Sequence, residues 1–115
     1  MELNTRHVSK TTIISIESSM MGGELSQLLH EKVKETIAFG GHSLILELKN
    51  VQRINSIGVG MIISAWTTVQ NAGGKFALMH LSEKVAEILN ICETDQFIPV
   101  FDNEKVAISK LESPQ

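Results

Sequence analysis

The chain has 115 residues, 43% of them apolar and 20% charged, a balance that suits one folded unit and leaves no room for a second. Its formal net charge is −3 and its ten lysines and arginines are scattered, so no basic stripe is available for a run of nucleic-acid phosphates; aromatics are only 4%, which also removes base-stacking platforms. Cys92, the lone cysteine, excludes an internal disulfide and a multi-cysteine metal site and fits a reducing compartment.

Residues 11–16, Thr-Thr-Ile-Ile-Ser-Ile, are rich in β-branched side chains and bounded by polar ones, which predicts a strand. His7–Ser9 is a weaker strand candidate before it, and together they imply an opening hairpin. The loop Met20-Met21-Gly22-Gly23 leads into a helix expected from about Glu24 to Phe39, with Leu25, Leu28, Leu29, Val33 and Ile37 at helical spacing. Gly40-Gly41 stops it, because glycine accepts the left-handed backbone common just past a helix end. The near-continuous apolar strand Ser43–Leu48 follows, as expected in the middle of a sheet.

A second helix opens after Asn55-Ser56, carries Val59, Ile62, Ile63, Trp66 and Val69 as its apolar stripe, and ends at Asn71-Ala72-Gly73-Gly74. Lys75–Met79 reads as a short strand. Ser82 is the expected N-cap of a third helix, with Val85, Leu89 and Cys92 on one face and Ile88 and Ile91 widening it. Phe97–Phe101 contains Pro99 and is therefore expected to be an edge strand or a barely paired one. Asp102 is expected to cap a last helix running to Leu111, with Val106, Ala107 and Leu111 facing inward. Strands alternating with helices imply a sheet whose later strands are largely parallel, that is, an α/β domain with a small mixed sheet and about four helices.

The start of the chain lacks the basic end and apolar run of a secretory signal, and no stretch approaches a membrane span, so the expected location is cytoplasmic. His7, His30, His42 and His80 show no metal-ligand spacing and are assigned to solvated positions; the carboxylates are scattered, and no acid–base pair suggests catalysis or a cofactor. Gly58 and Gly60 fall short of a dinucleotide fingerprint, because Ile63 stands where its third glycine belongs.

The junction Arg53-Ile54-Asn55-Ser56-Ile57-Gly58-Val59-Gly60 is the candidate functional site. A serine at the start of a helix sits where unpaired amides favour negative charge, so a phosphate there would be tolerated and would bring about −1.5 to −2 charge to the surface. The plainer role for Ser56 is that of an N-cap accepting from the amide of Gly58 or Val59, worth about 1 kcal/mol, and the two roles are compatible. Met20 and Met21 either extend an interaction patch or, in one case, plug the core.

The run Leu44-Ile45-Leu46-Glu47-Leu48, followed by Ile54-Asn55-Ser56-Ile57-Gly58-Val59-Gly60, resembles the STAS domain of bacterial anti-sigma factor antagonists. The similarity extends through Ala72–Leu78, Leu81–Leu89 and Phe97–Ala107, covering roughly residues 11 to 111. The resemblance implies a phosphoacceptor at Ser56, an anti-sigma factor with serine kinase activity as partner, and a serine phosphatase that restores binding; the expected partner surface is Met20, Met21, Gly22, Asn55, Ile57, Gly58 and Val59. A homodimer is left open. Two positions depart from the family's motif: Asn55 replaces an acidic residue, and Ile57 replaces a second hydroxyl residue. The alternative implied by the same fold is a subunit of a transport or signalling assembly that docks constitutively, and a small-ligand carrier is a third.

Overall fold

Packing separates the strands from the helices by what each sequence can bury. The computed structural model describes residues 2–114. Strands β1 (Leu3–Val8) and β2 (Thr11–Ile16) form an antiparallel hairpin pairing Leu3 with Ile16 and Val8 with Thr11. Helix α1 (Glu24–Ala38), strand β3 (Ser43–Glu47), helix α2 (Ser56–Asn71), strand β4 (Lys75–Met79) and helix α3 (Glu83–Ile91) follow. A 3-10 turn (Thr94–Gln96), strand β5 (Val100–Phe101) and helix α4 (Glu104–Glu112) complete the chain. The sheet order is β1-β2-β3-β4-β5, with β2 to β5 parallel to one another, as an alternation of strands and helices requires.

All residues of β3 are buried, in keeping with its central place in the sheet. On one face, Ile14, Leu44, Leu46, Phe76 and Leu78 meet α1, α2 and α3 through Leu29, Val33, Ile62, Val69 and Leu89. On the other, Ile13, Ile45, Ala77 and Met79 meet α4 through Ala107 and Leu111, with Val8 and Phe101 at the margins; among the described residues α4 is the one helix on this face. Among the described residues, no helix is long and apolar enough to cross a membrane.

The structure corrects several expectations. β1 is a full strand rather than His7–Ser9, because an outer strand with Asn4, Thr5, Arg6 and His7 exposed carries little apolar signal. Ser82 does cap α3, accepting from the Val85 amide at 3.3 Å, but the helix ends so that Ile91 and Cys92 are exposed. The cap of α4 is Asn103, which accepts from the Val106 amide at 3.0 Å, rather than Asp102. Val106 is turned to solvent, since Ala107 and Leu111, one turn apart, hold the inner face. Only Val100 and Phe101 of the Phe97–Phe101 segment pair with β4, and Phe97 instead sets its ring against Trp66 edge-on, centroids 4.9 Å apart.

Candidate functional site

The start of α2 is held by two connections that follow parallel strands β2 and β3. Met20 donates its amide to the Arg53 carbonyl at 2.8 Å, and Asn55 donates its amide back to the Met20 carbonyl at 3.3 Å, so a one-residue bridge joins Met20 to Ile54. The Met20 side chain is fully buried and anchors this seam from below. It therefore offers no docking surface, which corrects its place among the partner residues; of the methionine pair, Met20 fills the core and Met21 stands 42% exposed.

Asn55 has extended backbone and caps α2: its Oδ1 accepts from the Gly58 amide at 3.0 Å, while its Nδ2 donates to the Met21 carbonyl at 3.3 Å. The capping role assigned to Ser56 thus belongs to its neighbour. Ser56 is instead the first helical residue; it is exposed, and among the described residues its hydroxyl has no hydrogen-bond partner. The first turn of α2 contains no acidic residue, so the positive end of the helix is left uncompensated beside that hydroxyl.

Ile57 is 56% exposed and lies against Gly22, whose φ of 104° only glycine adopts readily and where an added β-carbon would come within 3.1 Å of the Ile57 Cγ2. Gly58 and Val59 are buried, so they shape the turn without presenting side chains. Met21, Gly22, Ser56 and Ile57, with half-buried Asn55, make the accessible part of the site, which brings one hydroxyl and two large apolar side chains to the surface.

A second polar cluster joins residues that the sequence reading left apart. Glu47, at the end of β3, is buried, accepts from the Ser15 hydroxyl at 2.7 Å, and pairs with His80 Nδ1 at 2.6 Å. Arg6 lies 3.9 Å from Glu47 and binds Glu104 of α4 with both terminal guanidinium nitrogens, Nη1 and Nη2. Burial pushes the Glu47 carboxyl up, yet the hydrogen bonds from Ser15 and His80 and the charges of Lys49 and His80 outweigh it and hold the group below the usual glutamate value. Glu104 is likewise lowered, chiefly by its hydrogen bond to Arg6. His80 is thus no solvated bystander. The signal for it was the acidic residue ending an otherwise apolar strand. Among the described residues, no three His, Cys, Asp or Glu side chains gather as a metal site.

A family model for the STAS domain matches residues 2–107. An anti-sigma F factor antagonist of Paenibacillus polymyxa is 30% identical over 69 residues, which are 60% of this chain and 59% of that protein. The protein TM1081 of Thermotoga maritima superposes with a TM-score of 0.86 at 23% identity, over 96% of this chain and 95% of the other. The anti-sigma factor antagonist SpoIIAA of Bacillus, in its unphosphorylated form, superposes with a TM-score of 0.80 at 16% identity, over 98% of both chains. At these identities the two superpositions speak for the fold.

Proposed function

The chain belongs to the STAS domain family, and from that premise we propose that it acts as an anti-sigma factor antagonist controlled by phosphorylation of Ser56. In the unmodified state, Met21, Gly22 and Ile57 dock on an anti-sigma factor that is itself a serine kinase, and the sigma factor is freed. Transfer of phosphate to Ser56 adds about −1.5 to −2 charge next to Ile57, which opposes re-docking, and a serine phosphatase reverses it. The helix end stabilises the phosphate, so the domain stays folded in both states.

The observation that carries this reading is the free, exposed Ser56 hydroxyl at the first position of α2, with Asn55 taking over the cap. Relief from capping leaves the serine oxygen available to a kinase. The test is capture of the cognate anti-sigma factor by Ser56→Ala and Ser56→Asp variants, together with location of phosphate by mass spectrometry after incubation with that factor and ATP. Alanine is expected to retain capture and aspartate to weaken it about tenfold or more, a loss of about 1.4 kcal/mol. Equal capture by both, with Ser56 unmodified, would replace the switch with constitutive docking.

A further inference from the structure

A cavity of about 760 Å³ lies at the other end of the sheet from Ser56, where Thr11, Ser43 and Lys75 begin the parallel strands. Nothing in the switch described above uses it. Its two carboxylates are both engaged. Glu112 accepts from the Ser9 hydroxyl at 2.8 Å, the Lys10 amide at 2.9 Å and the Thr11 hydroxyl at 2.6 Å, and Glu35 pairs with Lys32 at 2.8 Å.

The groups left over are nitrogens of lysine and histidine, although the charge of Lys10 already acts on Glu112. Among the described residues, the Lys10 amine and the His42 ring have no partner, Lys75 reaches only the Ser113 carbonyl at 3.4 Å, and His7 uses Nδ1 on Thr12 at 3.1 Å, leaving its second ring nitrogen uncommitted. Beside them Phe39 is 87% exposed, fixed at the end of α1 by Gly40 with φ 89°. At the rim of this cavity the ring presents a flat apolar face beside two lysines that, among the described residues, no carboxylate binds, Lys10 and Lys75.

We propose that this cavity binds a small organic anion carrying a flat ring, the ring meeting Phe39 and the anion meeting Lys10 and Lys75. The lysines have one competing role: the ends of α1, α2 and α4 converge here, and cations compensate helix carboxyl ends. The experiment separates the two.

The probe is phenyl phosphate, titrated into the full chain and followed by backbone amide resonances, with inorganic phosphate and benzyl alcohol as controls. Saturable shifts clustered at Lys10, Phe39–Ser43 and Gly73–Lys75, with a dissociation constant of about 1 mM or below, are the expected result. Phe39→Ala should weaken binding about three- to tenfold, the range of one aromatic contact. Lys10→Ala combined with Lys75→Ala should weaken it by a comparable factor and flatten its salt dependence, while Lys84→Ala, outside the cavity, leaves it unchanged. Amide spectra of each variant confirm the fold. Absence of saturable shifts, equal affinity for inorganic phosphate, or lysine variants that lower the melting temperature without changing affinity would overturn the proposal.

Discussion

The Met20 carbonyl oxygen lies so close to Gly58 that a β-carbon placed there would sit 2.1 Å from it. No rotamer change relieves such an overlap, because the obstructing atom is backbone and is itself bonded to the Asn55 amide. Gly58→Ala is expected to destabilise the domain by about 1–3 kcal/mol or more and to detach the Met20–Gly23 loop. Gly60, two residues on, has nothing within 4 Å of the same added carbon. Gly60→Ala should therefore stabilise by about 0.5–1 kcal/mol, the ordinary gain for replacing a helical glycine. Urea midpoints of the two variants should move in opposite directions.

Asn55 bonds to both sides of the seam, and its two functions can be separated. Asn55→Ala loses the cap and the Met21 tie and should cost about 1–2 kcal/mol. Asn55→Asp keeps the cap and gains favourable charge at the helix end, about 0.3–1 kcal/mol, against the lost donation to Met21, so its stability should stay near that of the natural chain. Amide exchange at Met21 and Gly22 should quicken in both variants, which hydrogen-exchange mass spectrometry would detect.

Acid should weaken the fold partly through Glu47. Its carboxyl titrates below the ordinary glutamate value in the folded chain, so its contribution is complete above the unfolded value and is lost as pH falls through the folded one. Glu47→Gln should cost about 1–3 kcal/mol at pH 7 and show a smaller loss on acidification than the natural chain. Urea unfolding at pH 7 and about pH 3 checks the sign, and a variant that loses as much as the parent on acidification would assign the dependence to Glu104 and Glu112, whose carboxyls are also lowered.

Thr94 is fully buried and its hydroxyl has no partner among the described residues. Replacing an unsatisfied buried hydroxyl by a methyl removes a desolvation cost, so Thr94→Val should be neutral or stabilising by about 0.5–2 kcal/mol, read as a higher melting temperature.

The helices and parallel strands were legible in the sequence because their apolar residues recur at helical spacing or run unbroken, as in α1 and β3. The first part of β1 escaped, though its end and the hairpin did not, because an outer strand need bury only Leu3 and part of Val8. Asn55 and Ser56 are both good capping residues, and the choice between them follows from the tie to Met21, a contact 34 positions away. Ser15, Glu47 and His80 meet only through the parallel pairing of β2, β3 and β4, which puts Ser15 directly opposite Glu47; no local periodicity encodes that register. The cavity around Phe39 was equally hidden, since it forms where three helices stop.

Among the described residues, helix α4 is the one helix covering its face of the sheet, and it is pinned at both ends by carboxylates, Glu104 on Arg6 and Glu112 on Ser9 and Thr11. During synthesis the strands leave the ribosome before their shield does, so Ile13, Ile45, Ala77 and Met79 stay wet until residues 104–112 emerge. A nascent chain stalled before that point would present a sticky parallel surface to its neighbours, and its solubility would hinge on chaperones.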